Sequence, residues 1–489
     1  MSRKSVPSWL HEGARVRDSA QNREGIVQFI SEWVDPTTRK AIPHAIFLRP
    51  EGGGREWVVA DHQALREAEP RRPTGPGSYS RPPLIGSRHG RSTAPGVAPP
   101  CTPGAIHAPL AHPKRSTMHS AFRLAAKPRS VIMQPTTQCL PMDCTYCYLP
   151  FRNMKHLMPA AVAEAVAAAV NPWAADDPAF EVVWHGGEPL ATGREHLAAL
   201  MAPFKGVQHS VQTNAALVDD AWCEFLMEHG VHVGVSIDGP ADMNTHRITL
   251  AGRPGFRVTM RGIERLRHRG IPYSAIAVVS DPDPDNAARF YEFFAELGVT
   301  TLGVNVEEEE GVNTGSKVAD PVRAAEFWAA LADTWRGNPV MRLREVQRVV
   351  NFAGAVLQGH ETAPLPASSL WDPLPTVAYD GGVVMLSPEL AGFTDLRFGD
   401  FTTGNVLKDG LDVLVAEAEK RTPWIAEFWD GVDACRATCP TFAFCGGAHP
   451  ANRYFEHGGR MDGTRTSYCT TSKIALLEGV TRHVRTHRP

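Results

Sequence analysis

Nine cysteines punctuate the chain, and seven of them fall into two tight groups. Cys139, Cys144 and Cys147 are spaced C-x4-C-x2-C within QPTTQCLPMDCTYCYLP. Three thiolates on one loop suit a cubane iron–sulfur cluster with one iron left open to a small molecule. A zinc knot or three buried thiols are the plainer alternatives. Cys435, Cys439, Cys445 and Cys469 follow the spacing C-x3-C-x5-C-x23-C. Four thiolates fill every protein position of a cubane cluster or of a tetrahedral zinc, and spacing does not choose between them. Cys101 and Cys223 stand apart from both groups. The amino terminus, MSRKSVPSWLHEGARV, has no apolar signal core, so the expected compartment is the cytosol. There, grouped cysteines point to metal or redox chemistry, and a group of three cannot pair internally.

Downstream lie four more strings that carry chemistry: WHGGEP at Trp184–Pro189, QTN at Gln212–Asn214, SIDGP at Ser236–Pro240, and Arg247 in NTHRITLAGRPGF. Gly186 and Gly187 allow close backbone approach. Glu188 offers a carboxylate to an ammonium, and Arg247 a fork to a carboxylate. Taken singly, each reads as a turn or a solvated charge. In this order after the cysteine loop, they resemble the radical S-adenosylmethionine (SAM) superfamily. Its usual cysteine spacing is C-x3-C-x2-C, and this chain has one residue more between the first two. The resemblance implies that Cys139, Cys144 and Cys147 hold a 4Fe–4S cluster that binds SAM, with Tyr146 in the aromatic position before the last cysteine. It also implies that Gly186, Gly187 and Glu188 hold the methionyl amino group and that Thr213 and Asn214 belong to the same site. By the same token Ser236 bonds the ribose, Asp238 shapes that wall, and Arg247 pairs with the methionyl carboxylate.

The second cysteine group resembles the SPASM extension of peptide-modifying radical SAM enzymes, which usually carries two auxiliary clusters. The four cysteines match the outer one. Ligands for the inner one are missing: the stretch YDGGVVMLSPELAG has no cysteine, and His449 stands near the place of another. The expectation is two 4Fe–4S clusters in all. SPELAG, FGDFTTGNV, CGGAHPANRYFEHG and the strand-end run GVNVEEEEGVN are similar to the subgroup that forms cyclophane crosslinks in ribosomally made peptides. That subgroup implies a carbon–carbon bond between a β-carbon and an aromatic ring. The implied partners are a precursor peptide and a reducing donor such as a flavodoxin or ferredoxin. A carboxylate must take the ring proton, and Glu307 and Glu308 are nominated from the acidic run, which could equally be a solvated face. The alternatives are sulfatase-maturase-type formylglycine formation, thioether formation or epimerisation. From another class comes a non-catalytic zinc-binding adaptor.

The elements that must position these groups are legible in the periodicity. Strand-like runs at 130–134, 180–184, 207–212, 231–237, 273–279 and 301–306 alternate with helical runs. This predicts an α/β chain with a parallel sheet and crossover helices, curled into a partial barrel with its chemistry at the carboxyl ends of the strands. The resemblance makes it a partial (β/α)6 TIM-like barrel over 127–318. A helical connector (319–368) and a SPASM-like domain (369–489) follow. Residues 1–69, with GIVQFI, HAIFL and EWVV, predict a small β-barrel-like module. Between them, residues 70–126 form a basic linker. Eleven of the 40 prolines lie between Pro70 and Pro113, and no Asp or Glu occurs before Lys127 in that stretch. A net charge of −3 and 21% charged residues give no argument for nucleic acid or an acidic membrane as partner. No apolar run approaches the ~20 residues of a membrane span.

Overall fold

The computed structural model describes residues 14–34, 41–49, 57–68, 122–315, 318–358 and 370–486, with positions 7, 9–11 and 120 besides. The proline-rich linker and Cys101 lie almost wholly outside the described residues. Among the described residues, no helix is long and apolar enough to cross a membrane.

Six parallel strands form the barrel: β1 (Ser130–Met133), β2 (Glu181–Trp184), β3 (Gln208–Thr213), β4 (His232–Ser236), β5 (Tyr273–Val279) and β6 (Thr301–Val306). They pair in sequence order, each joined to the next through a helical crossover. The crossovers are α1 (Ala160–Asp176), α2 (Arg194–Met201), α3 (Asp220–Glu228), α4 (Phe256–His268) and α5 (Ala287–Leu297). Alternation drives the strands: in β5 every second residue of YSAIAVV is buried, from Tyr273 to Val279. Helix starts and stops follow local chemistry. The Asp219 side chain accepts from Trp222 N–H to cap α3, and Gly298 in the left-handed region ends α5.

The sheet does not stop at six strands. The two-residue strand Arg342–Leu343 adds in parallel to β6, and Thr376–Val377 adds in parallel to β1. Gly382–Val384 and Gly404–Asn405 then extend that edge antiparallel. One ten-stranded sheet therefore carries both the barrel and the start of the tail. Helices α6 (Pro321–Gly337) and α7 (Arg344–Leu357) follow the barrel. Trp328 of α6, fully buried, donates its indole N–H to Thr471 O at 3.0 Å and so fixes the tail to the barrel.

Strands Arg15–Asp18, Arg23–Val34, Ala41–Arg49, Trp57–Val59 and Leu65–Glu67 form a five-stranded antiparallel sheet. One face packs Val16, Val27, Ile46, Leu48, Trp57 and Leu65 into its own core. The opposite face presents Ala45 and Phe47 to Met154, just after the first cysteine group.

Candidate active site

The three cysteines of the first group follow β1 on one loop. That loop is held by backbone bonds from Cys139 N–H to Arg152 O (2.9 Å), Asp143 N–H to Ile248 O (2.8 Å) and Thr145 N–H to His246 O (2.9 Å). Arg152 closes it with Nε on Asp143 Oδ1 at 2.6 Å. All three sulfurs line one cavity of about 400 Å³, and burial pushes the Cys144 thiol up to about 12. Burial likewise holds the Cys139 thiol well above its ordinary range, so loading a metal onto Cys139 and Cys144 releases protons.

Every barrel strand end from β2 to β6 contributes to this cavity. After β2, Gly187 has φ +70°, and an added Cβ would meet Thr136 O at 2.4 Å. Only glycine lets this turn lie against the cysteine loop. Gly187→Ala is therefore expected to destabilise the anaerobic protein by roughly 2–4 kcal/mol, read by chemical unfolding. Gly206→Ala, also at positive φ but with nothing near its Cβ, should lose only about 1 kcal/mol. Equal losses would refute the close-approach argument.

Glu188 is buried, and its carboxylate is already engaged. Oε1 accepts from Leu190 N–H (3.1 Å) and Thr213 Oγ1 (2.7 Å), and Oε2 accepts from Asn214 N–H (2.8 Å). Burial raises its pKa to about 7 against these bonds. Thr213 is thus a tie between β2 and β3 and does not line the cavity, whereas Asn214 does. Asn214 also donates Nδ2–H to Leu140 O at 3.1 Å. Ser236 lines the cavity and accepts from Gln212 Nε2 at 2.8 Å. Gly234 makes room for that glutamine, since a Cβ there would stand 2.3 Å from Gln212 Oε1.

Asp238 sits behind the wall as a hub. Tyr146 OH donates to Oδ2 at 2.8 Å, while Arg247 Nε (3.1 Å) and Val278 N–H (3.0 Å) donate to Oδ1. Arg247 reaches the cavity with its guanidinium 5.7 Å over the Tyr146 ring and Nη1 3.9 Å from Cys144 Sγ. The cavity thus combines three thiols, a buried cation and a close-approaching glycine turn. That donor set fits a thiolate-bound cluster with a small zwitterion beside it.

The profile of the radical SAM superfamily matches residues 133–294. The uncharacterized protein sll1766 of Synechocystis sp. is 32% identical over 359 residues, 69% of this chain and 87% of that protein. The chain belongs to the radical SAM superfamily. A serine-type anaerobic sulfatase-maturating enzyme of Bacteroides thetaiotaomicron is 33% identical over 197 residues, covering 37% of this chain and 46% of that enzyme. The match therefore spans about half of the sulfatase-maturating enzyme. The solved structure of native anSMEcpe with bound AdoMet and Cp18Cys peptide superposes with a TM-score of 0.55. It is 21% identical and covers 73% of this chain and 98% of that one, which shows a shared fold.

In this radical SAM enzyme the second cysteine group lies apart from the first cavity. Cys435, Cys439, Cys445 and Cys469 all line a cavity of about 350 Å³. Cys435 lies in the last turn of the helix Pro423–Thr438, and Cys469 opens a π-helical turn, Cys469–Ile474. Arg453 is fully buried beside them. Its Nη2 donates to Cys435 Sγ (3.3 Å) and Gly447 O (2.6 Å), and Nη1 donates to Gly463 O (2.7 Å).

The first cavity continues past β6 to the acidic run. Glu307 and Glu308 both line it, as do Glu310, Glu389, His449 and Tyr468. Burial and neighbouring carboxylates hold Glu308 and Glu310 well above the usual carboxylate range. Burial lowers His449 to about 3, so its imidazole is neutral. The sequence reading missed Glu310, Glu389, Asn452 and Arg453 as functional residues. All four stand in motif strings, Glu310 in GVNVEEEEGVN, Glu389 in SPELAG, and Asn452 and Arg453 in CGGAHPANRYFEHG, but no spacing marks the roles of these side chains.

Proposed function

We propose that this radical SAM enzyme modifies a ribosomally made precursor peptide by joining an aromatic ring carbon to a β-carbon. The observation that carries the reading is the continuity of one cavity from the three cysteines and Arg247 to the carboxylates Glu307 and Glu308 and the tail residue Tyr468. A ring that has gained a carbon substituent must shed a proton, and carboxylates line the same cavity as the three cysteines. Support for a peptide substrate comes from relatives named as sulfatase-maturating enzymes and from a fold shared with a peptide-bound structure.

The roles divide by element. Cys139, Cys144 and Cys147 would hold the SAM-binding cluster. Gly186, Gly187, Glu188, Asn214, Ser236 and Arg247 would hold SAM, with Thr213, Tyr146 and Asp238 bracing them. Cys435, Cys439, Cys445 and Cys469 would hold a second 4Fe–4S cluster in a SPASM-type tail. The resemblance of the tail to SPASM extensions supports a cluster over zinc at this second group. When bound, SAM and its cluster supply a hydrogen-abstracting carbon radical, and the second cluster supplies a sink for one electron. The chain's part is to hold the peptide extended at the barrel mouth, exclude water and take the proton on Glu307 or Glu308. A flavodoxin or ferredoxin is the fitting class of reductant.

Coexpression with a short precursor encoded beside this chain tests the reading. The expected product has lost two hydrogens, yields no fragment ions between the joined residues, and does not react with a hydrazide. A hydrazide-reactive product at a single Ser or Cys would instead establish formylglycine formation. An unchanged mass with altered stereochemistry would establish epimerisation.

A further inference from the structure

Beyond the cysteine sites, we propose that Glu308, Glu310 and His449, which line the main cavity, bind one divalent first-row cation. The ligand atoms of these three side chains all lie within 4.8 Å of one another. An ion about 2.0–2.2 Å from each ligand brings any two to within ~4.4 Å, so shifts of a few tenths of an ångström complete the site. The approach is built by the backbone. Glu310 and Asn313 pair through N–H to O bonds of 3.0 and 2.9 Å, which turns the run after β6 toward the helix Pro450–Glu456. His449 precedes that helix, and its Nδ1 lies 3.3 Å from Ser387 Oγ. Such a bond orients a ligating imidazole and leaves Nε2 for the ion.

Two orphan oxygens provide an independent pointer. Asn452 is fully buried, and its Nδ2 lies against Glu308 Oε2 and 3.4 Å from Glu310 Oε1, while its Oδ1 has no hydrogen-bond partner among the described residues. Turning the amide over would present Oδ1 to the two carboxylates, an arrangement that a cation between them makes favourable. Glu389 lines the same cavity, and its buried Oε2 likewise has no partner among the described residues. Three carboxylates thus face one another, with Lys473 as the cationic side chain acting on Glu308. Carboxylate, imidazole and amide donors together suit Mn(II), Fe(II) or Zn(II), not a thiolate-seeking ion. With Glu308 on the ion, Glu307 is the carboxylate left to take a proton. The site stands independently of which peptide chemistry the enzyme performs.

The test is anaerobic equilibrium dialysis of the cluster-loaded enzyme against Mn(II), with unbound Mn(II) read by electron paramagnetic resonance. One equivalent should bind, and Zn(II) should displace it one for one. Glu310→Gln and His449→Gln should each weaken binding by at least ~10-fold, while Glu309→Gln leaves it unchanged. Iron and sulfide content confirms that each variant is folded and loaded. If a variant loses its clusters, the Zn(II) displacement on the parent enzyme decides. Absence of a stoichiometric Mn(II) or Zn(II) site in the parent, or equal affinity in loaded variants, would overturn the proposal.

Discussion

Replacing Cys139, Cys144 or Cys147 with alanine is expected to abolish SAM cleavage, with deoxyadenosine formation falling by more than ~10³-fold. The reason is ligand count. An open cluster has three protein thiolates and no spare, and Cys139, Cys144 and Cys147 are the cysteines that line the main cavity. Alanine at Cys435, Cys439, Cys445 or Cys469 is expected to behave differently. Those residues line a separate cavity. Their loss should leave SAM cleavage measurable while the modified peptide disappears. Chromatographic assay of deoxyadenosine beside mass spectrometry of the peptide separates the two sites. Persistent cleavage in Cys144→Ala would show that the wrong loop has been assigned, and a colourless parent protein with stoichiometric zinc would remove the radical reading altogether.

Asp238→Ala is the second large effect, and it is one of charge. Asp238 and Arg247 are both buried, paired at 3.1 Å. Removing the carboxylate strands a guanidinium in the interior, together with the Tyr146 hydroxyl and the Val278 N–H. Breaking one partner of such a pair costs about 3–5 kcal/mol, far more than the pair's net worth. Denaturant unfolding of the anaerobic protein should show that loss. The double replacement Asp238→Ala with Arg247→Met should recover much of it, because no unpaired charge remains. SAM binding should fail in both variants, since the arginine is either misplaced or gone. If Asp238→Ala unfolds at the parent's midpoint, the hub described around Asp238 does not carry the wall.

The barrel was legible because its signals are local. Six strand-like runs, four of them alternating in burial and each followed by a helical period, fall where the sequence places them, from Ser130–Met133 to Thr301–Val306. The cysteine spacings and WHGGEP are likewise short strings. What escaped is long-range. Spacing along the chain cannot show that Glu389 meets Glu310 from the far side of α6 and α7, or that Asn452 meets Glu308 from 144 residues away. His449 stood in the sequence only as the absence of a cysteine, and its nitrogen becomes informative once two carboxylates stand beside it. The added strands Arg342–Leu343 and Thr376–Val377 have two residues each, too few to show a period. Glu188 was assigned to an ammonium, and the fold shows three protein donors already on its oxygens.

The amino-terminal sheet has a bearing on how this enzyme can be handled. A chain trimmed of the residues before the barrel would lack Ala45 and Phe47. Those residues cover Met154, seven positions after Cys147. Trimming the chain to its barrel would turn that dry contact into a wetted apolar patch. Shortened forms should therefore be harder to keep in solution and quicker to bleach in air than the full-length enzyme.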